Sequence, residues 1–526
     1  MSRIPSIVSG ALEEREYQLS MFEEAHGENS LIILPTGLGK TVLALWIAAE
    51  RLEGRDGFVL FLAPSKPLCE QHAKTLSENL DVSVRVVTGE THKPVERGEA
   101  WSSSGITVAT PHTVLNDLME ERLNLRDCLL IVYDEAHRAV GDYPYVEINR
   151  TYFETARHPQ VLGLTASPGS DFKRLVEVAH NLKLERISIR GEWSDDVKPY
   201  VGGRSIRKVE VSKTEPILRA ERALDSILKE FLGKLSKYSR RARGMSPERV
   251  SAKTVKEIMG ELQSRLGRGG PRYLYHAVSL TAAILKLTHL KGLLTTQGID
   301  IAREFAEGLH DDDTRAASLI LKHDGFRKLA AELEASEGEE NPKLEKAVHI
   351  LQRHFCKHPM GRAMVFAEYR DTVEFLKSKL NEYPNIRAEP FIGQRGSEGM
   401  SQKEQRETLD AFERGEFDTL VSTSIGEEGI DVPATSLVVF YEPVPSAIRR
   451  IQRRGRTSRD GRWGEIQILV MEGTRDEPYY WKSLRGEKQM YEAAYKLKKI
   501  LEKTENPQEE LLKLKRREQA SLEKWA

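Results

Sequence analysis

Three groups of residues in this 526-residue chain have types and spacings suited to phosphate chemistry. The first is Leu34-Pro35-Thr36-Gly37-Leu38-Gly39-Lys40-Thr41, between an apolar Leu31-Ile32-Ile33 that reads as a buried strand and a helical stretch, 42–50. Strand, Gly-rich loop, Gly-Lys-Thr and helix form the pattern of a P-loop. The backbone N–H groups of 36–39 would close round phosphates, aided by the positive end of the helix dipole. Lys40 would reach the outer phosphates, and the Thr41 hydroxyl would ligate Mg²⁺. Position 34, where the common pattern has Gly, carries Leu. The second group is Asp134-Glu135-Ala136-His137, after the apolar run Leu129-Leu130-Ile131-Val132-Tyr133. A Mg²⁺–nucleotide site needs a carboxylate toward the metal and a base toward the attacking water. Asp134 and Glu135 would supply them. The third group is Gln452-Arg453-Arg454-Gly455-Arg456-Thr457-Ser458-Arg459. Arginines spaced by three share a helix face or tight turn. Guanidinium forks brought from a second domain against a γ-phosphate raise rates by ~10³–10⁵.

Such groups act only where strands hold them. Phe58–Ala63, Val84–Thr88, Ile106–Ala109 and Val161–Leu164 are further strand-like runs, each ending at small, hydroxylated or basic residues and passing into a helical pattern. Alternation of this kind predicts a parallel sheet covered on both faces, with ligands at the carboxyl ends of the strands. Those ends carry Ser65, Lys66, Thr88, Gly89 and Thr110, groups able to hold a phosphate backbone without reading bases. Thr165 and Ser167 follow the Val161–Leu164 run and suit a relay between nucleotide and a moving partner domain. Gln18, some twenty residues before the P-loop, carries an amide that matches an adenine edge.

Composition bounds the rest. The length suggests three or four domains. The chain is 39% hydrophobic and 30% charged, with a net charge of −1, so any nucleic-acid surface must be local. The charged fraction exceeds the usual ~25% and hints at a heat-adapted source. Cys69, Cys128 and Cys356 stand far apart, which excludes a Cys-rich zinc module and a disulfide framework and fits a reducing compartment. Neither an N-terminal apolar leader nor a run of ~18 apolar residues is apparent, so no membrane span is expected.

Between residues 215 and 340 the strand signal disappears and Leu, Ala, Lys and Glu take helical spacing. Within this stretch, residues 234–272 hold eleven Lys/Arg against three Asp/Glu, with Tyr238, Tyr273 and Tyr275 interleaved. Arg240, Arg241 and Arg243 are the densest part. Such an excess suits phosphate binding that weakens steeply with salt. A second α/β unit follows Asn341-Pro342. Its apolar runs end at Glu368-Tyr369-Arg370, at Gly393-Gln394-Arg395-Gly396, and at Thr423, which opens Thr423-Ser424-Ile425-Gly426-Glu427-Glu428-Gly429-Ile430-Asp431.

In this order, LPTGLGKT, APSKPL, ATPHTV, DEAH and TASPG resemble motifs I, Ia, Ic, II and III of a superfamily 2 helicase, the strand ends of the second unit with TSIGEEGIDVP and QRRGRTSR resemble its motifs IV, IVa, V and VI, and Arg15-Glu16-Tyr17-Gln18 resembles its Q motif. The motif V and VI variants, Asp196-Val197-Lys198-Pro199-Tyr200-Val201 and the helical insert are similar to the branch of archaeal Hef, the Fanconi anaemia M translocase and Mph1. Two departures stand: motif VI ends Thr-Ser-Arg, and the nuclease signature Glu-Arg-Lys-x-x-x-Asp is absent, so no nuclease activity is carried over.

The resemblance implies an ATP-dependent DNA helicase or translocase with two RecA-like α/β lobes: lobe 1 at 1–210, a nucleic-acid-binding helical insert at 211–340, lobe 2 at 341–480 and a helical tail at 481–526. Arg15 and Gln18 would read adenine, and Gly429 and Asp431 would contact ribose or phosphate. Lys40, Glu135, Arg456 and Arg459 would carry catalysis. His137, Thr165, Ser167, Gln452 and Arg453 would couple the lobes. Arg370, Gln394, Arg395 and Thr423 would join Ser65, Lys66, Thr88, Gly89, Thr110 and the insert arginines on nucleic acid. The cofactors implied are ATP and Mg²⁺. The substrate would be forked, branched or single-stranded DNA traversed 3′ to 5′, in a prokaryotic cytoplasm, with a separate nuclease or sliding clamp as a further partner. An RNA-directed motor of the Dicer-related type and a nucleotide-gated binding protein without unwinding are the alternatives.

Overall fold

The computed structural model describes residues 14–523, apart from 92, 102–104, 170, 202, 337, 395–398, 424–432, 456 and 458–462. Two parallel sheets organise it. The first holds β1 (Ser30–Ile33), β2 (Phe58–Leu62), β3 (Val84–Val87), β4 (Gly105–Ala109), β5 (Cys128–Asp134), β6 (Val161–Thr165) and β7 (Arg186–Ile189) in the order β3-β4-β2-β5-β6-β1-β7. Alternate side chains of each strand go to opposite faces. Leu31, Ile33, Leu60, Leu62, Ile131 and Tyr133 enter one buried cluster, while Ile32, Val59, Phe61, Leu130 and Val132 enter the other. Helices cover both faces, which is why the strands read as continuous apolar runs.

The second sheet holds β8 (Arg204–Val211), β9 (Ala363–Phe366), β10 (Ala388–Phe391), β11 (Thr419–Ser422), β12 (Leu437–Phe440) and β13 (Gly464–Met471) in the order β10-β11-β9-β12-β13-β8. The two-lobe parallel α/β class expected from the sequence is therefore present. The boundary at residue 210 is not where the sheets divide. β8 pairs with β13 over eight residues, Arg204 to Val211, so this strand belongs to lobe 2. Its sequence, Arg-Ser-Ile-Arg-Lys-Val-Glu-Val, is mixed rather than continuously apolar, in keeping with its place at the sheet edge. β7, β8 and β13 were not among the strands read from the sequence.

The insert is a bundle of the helices Glu215–Leu235, Ala252–Gly267, Tyr273–Thr296, Ile299–Gly308, Arg315–Leu321 and Asp324–Ala335 around one apolar cluster. Tyr273–Thr296 is long and apolar enough, by length and composition, to cross a membrane, although Lys286, His289 and Lys291 interrupt its apolar residues. It lies at the centre of the bundle, and Leu280, Ile284, Leu287 and Leu290 are among its buried residues. Cys69 and Cys128 are free and buried, and burial pushes both thiols up to about 12.

The tail begins as the helix Asp476–Leu501, five residues before the expected boundary at 481, and continues as Pro507–Glu523. It packs on lobe 1. Met490, Ala494, Leu497, Leu501 and Leu511 complete the apolar cluster beneath β1 and β5. Lys498 pairs with Glu24 at 3.2 Å, and Tyr491 meets Trp193 edge-on with ring centroids 4.5 Å apart. The chain thus crosses between lobes twice on the same side, entering lobe 2 through β8 and leaving it after β13.

Candidate nucleotide site and nucleic-acid face

The carboxyl ends of β1, β6 and β5, neighbours in the first sheet, bring together the groups separated by about a hundred residues in sequence. The loop after β1 places Gly37 and Gly39 at φ of +82° and +81°, a conformation that favours glycine. At Gly39 space forbids a side chain as well: a Cβ there would lie 2.2 Å from the Gln18 amide nitrogen. Gly39 leads directly into the helix Lys40–Leu52, so the loop's amides precede a helix N-terminus. The Lys40 ammonium donates to the Leu34 carbonyl at 3.2 Å. Gln18 is buried and donates to the Leu38 carbonyl at 3.3 Å; its Oε1 is buried without a hydrogen-bond partner among the described residues. The Tyr17 hydroxyl donates to the same carbonyl at 2.8 Å. Arg15 stacks over Tyr200 at 5.1 Å, so the Asp196–Val201 stretch backs the residues before the P-loop.

β5 ends at Asp134, which is 7% exposed. Burial pushes its carboxyl pKa up, but a hydrogen bond from His72 and the Lys40 ammonium bring it below the usual carboxylate range. It is therefore an anion at neutral pH. Glu135 adopts φ 50° and ψ 49°, a left-handed conformation rare for a side chain of its type and the kind of strain found at functional sites. Its Oε2 lies 3.2 Å from His137 Nδ1, and that nitrogen is 3.1 Å from Thr165 Oγ1. Thr165 Oγ1 in turn accepts from the Ser167 backbone N–H at 3.0 Å. His137, Thr165 and Ser167 form one buried chain from β5 to β6.

His72 was not singled out by sequence reasoning. On the helix Lys66–Asn79, it places Nε2 3.0 Å from Asp134 Oδ2 and Nδ1 3.5 Å from Thr41 Oγ1. No local spacing predicts it, because the contact joins three elements.

The donor set suits Mg²⁺. Among the described residues no cluster of three or more His, Cys, Asp or Glu forms a protein-only metal cage. One ionised carboxylate, Asp134, and one hydroxyl, Thr41, beside a phosphate-binding loop match a cation that keeps most of its shell as water and phosphate.

Lobe 2 meets this site through the helix Ala447–Arg454. Gly455, which ends it, sits so close to the P-loop that a Cβ would lie 2.1 Å from Thr36 Oγ1. Arg454 pairs with Glu487 of the tail at 2.9 Å and with Glu192 at 3.8 Å. Gln452 is buried. Arg453 is buried too, its guanidinium 4.7 Å from the Phe366 ring and 5.5 Å from that of Phe440, within lobe 2. Arg395, Gly429, Asp431, Arg456 and Arg459 lie outside the described residues.

The nucleic-acid candidates gather at other strand ends. Ser65 precedes the helix after β2, Thr88-Gly89 follows β3 and Thr110 follows β4, and these three strands are neighbours. Lys66 pairs with Glu90 at 2.8 Å, and Thr110 shares a hydroxyl bond with Thr113. In lobe 2, Arg370 follows β9 and donates to the Gly393 carbonyl, exposed Gln394 follows β10, and Thr423 follows β11. Across the gap Gln402 donates to Glu90 at 3.4 Å, and Arg406 lies 3.8 Å from Glu70. In the insert, Arg240 and Arg243 are exposed around a pocket of about 390 Å³. Arg241 is held by Glu257 and Glu261, at 3.2 and 2.5 Å. Its charge is compensated within the insert, unlike the open cation expected from sequence.

Two parallel α/β lobes, with a P-loop on one and an arginine-rich helix of the other pressed onto it, define the two-lobed helicase class. The DEAD/DEAH box helicase family matches residues 15–175, and the helicase conserved C-terminal domain matches 343–461. The crystal structure of the Pyrococcus furiosus Hef helicase domain is similar with a TM-score of 0.70 and 39% identity, covering 91% of this chain and 100% of that one. A Methanocaldococcus jannaschii protein named as an ATP-dependent RNA helicase is 36% identical over 490 residues, 92% of this chain and 61% of the relative. The ATP-dependent DNA helicase mph1 of Neurospora crassa is 33% identical over 487 residues, 88% of this chain and 41% of the relative. This chain belongs to the DEAD/DEAH-box helicases, in the branch of Hef, Mph1 and FANCM. It spans only about two fifths to three fifths of those two curated relatives.

Proposed function

We propose that the chain is an ATP-driven translocase that unwinds forked or branched DNA, moving 3′ to 5′ on the strand it grips. The observation that carries this reading is the division of the first sheet's carboxyl edge. The P-loop, Asp134-Glu135 and Thr165-Ser167 stand at the ends of β1, β5 and β6; Ser65-Lys66, Thr88-Gly89 and Thr110 stand at the ends of β2, β3 and β4, with Arg370, Gln394 and Thr423 at strand ends of lobe 2. In this reading one sheet couples a nucleotide to a strand.

In this reading the loop amides and Lys40 hold the outer phosphates, and Arg15 and Gln18 take adenine, with Gln18 Oε1 free to accept from the base. Asp134 and Thr41 hold Mg²⁺, which when bound draws charge from the phosphate oxygens. Glu135 takes the proton of the attacking water, and Arg456 and Arg459 meet the γ-phosphate while Gly429 and Asp431 meet ribose or phosphate. Hydrolysis removes the contacts that favour closure, and the lobes part. Alternate grip by Ser65, Lys66, Thr88, Gly89 and Thr110 on one lobe and Arg370, Gln394, Arg395 and Thr423 on the other converts closure into a step. His137, Thr165, Ser167, Gln452 and Arg453 carry the coupling, and the insert's Arg240, Arg241 and Arg243 rest on the duplex arm. A separate nuclease or sliding clamp, and a cytoplasmic, nucleoid-associated setting, complete the proposal.

An RNA-directed motor is the second reading, favoured by the name of the Methanocaldococcus jannaschii relative. ATP turnover with DNA or RNA as activator, beside displacement of a labelled strand from forks with a 3′ or a 5′ tail, decides between them. Stimulation by RNA alone would overturn the DNA reading, and unwinding only from 5′ tails the polarity.

A further inference from the structure

We propose that His72 is the positioning residue that orders the two metal-holding side chains of the nucleotide site; the inference rests on the Mg²⁺–nucleotide reading above. A threonine hydroxyl that ligates a cation must aim a lone pair at the metal, so its proton needs an acceptor elsewhere. Asp134 must keep one oxygen toward the metal's water shell, so its other oxygen needs a donor. His72 meets both needs with one ring: Nε2 stands 3.0 Å from Asp134 Oδ2, and Nδ1 stands 3.5 Å from Thr41 Oγ1. An ionised carboxylate can only accept, which puts a proton on Nε2 and lets Nδ1 accept from the hydroxyl. The ring is fixed for this work. It is 7% exposed and packs on Phe61 with centroids 4.6 Å apart. His72 also comes from a third element, the helix after β2, so one ring joins Thr41 of the P-loop helix to Asp134 at the end of β5.

Groups that orient metal ligands change metal affinity by about 10–100-fold when removed. The test titrates Mg²⁺ against the fluorescence of a mant-ADP complex of the full chain, with Mn²⁺ binding counted by electron paramagnetic resonance as a second reading. His72→Leu keeps an apolar filling against Phe61 but loses both hydrogen bonds. His72→Gln keeps a donor and an acceptor. The expected result is that His72→Leu needs at least about tenfold more cation, that His72→Gln recovers most of that loss, and that metal-free nucleotide binding is unchanged in both. His72→Leu titrating as wild type would overturn the proposal. So would His72→Gln failing as badly as His72→Leu, or loss of metal-free binding, either of which makes His72 a packing residue. Wild-type protein whose nucleotide binding ignores Mg²⁺ would instead overturn the nucleotide reading itself.

Discussion

Replacing Gly455 by alanine tests whether the contact between lobes belongs to the catalytic arrangement. The backbone at 455 has φ −65° and ψ −1°, where alanine is at ease, so the substitution should not strain lobe 2. Its effect falls across the cleft. The new methyl would lie 2.1 Å from Thr36 Oγ1 and 2.8 Å from Thr36 Cβ. Ordinary contact begins near 3.4 Å, so the turn and the P-loop must separate by about 1.3 Å (3.4 − 2.1). A misplacement of about 1 Å costs on the order of 10²-fold in rate, which corresponds to ~2.7 kcal/mol in the barrier. The expected outcome is a kcat for nucleic-acid-stimulated ATP hydrolysis lowered by about 10²-fold, with thermal stability and nucleotide-free strand binding near wild type. Thr36→Ala in the same chain removes the atom at 2.1 Å and should return part of the rate. Full kcat in Gly455→Ala would refute the reasoning, because the arrangement seen here would then not be the one that turns over ATP.

Glu135→Gln should keep nucleotide affinity and lower turnover by ~10²–10⁴-fold, as for loss of a general base; a single-turnover assay with radiolabelled ATP checks it. Burial, with Glu368 nearby, raises the Glu442 carboxyl to about 7 despite Lys343 and Arg453, so the folded chain favours its neutral form. The resulting cost is absent below the carboxyl's ordinary 4.5, grows as pH rises to 7 and is full above it, on the order of 3 kcal/mol. Glu442→Gln should therefore raise Tm at pH 8 and leave it unchanged at pH 4.5, and thermal melts at the two values decide. Arg240→Gln and Arg243→Gln should each weaken fork binding and lower the slope of log affinity on log salt by about 0.9, whereas Arg241→Gln should do less because Glu257 and Glu261 already neutralise it. Equal slopes for all three would count against that ranking.

The lobes were legible because their central strands are buried on both faces and read as unbroken apolar runs. β8 was misplaced for the opposite reason: it is an edge strand of mixed polarity, and nothing in Arg204–Val211 says which sheet it joins. Gly37, Gly39, Lys40, Thr41, Asp134 and Glu135 are recognisable since each motif is local and its roles follow from a strand end. His72 is silent in sequence, because a histidine within a helix after a strand has no spacing that points to Asp134, sixty-two residues on. The pairing of Arg241 was hidden for a related reason. Its partners Glu257 and Glu261 are one turn apart on the next helix, so a charge count over the segment hides the pairing.

The double crossing of the chain has a mechanical consequence. β8 and the start of the helix Asp476–Leu501 lie on one side of the molecule, and apolar side chains weld that helix to lobe 1. On the far side, near β3 and β10, the lobes touch through Gln402–Glu90 and Arg406–Glu70, exposed contacts of the kind worth about 0–1 kcal/mol. A door hung on two pins has one axis of swing, and its latch stands opposite the pins. Opening is therefore directed by the pins, the latch costs little to release, and the gap widens most beside the strand ends proposed to hold nucleic acid.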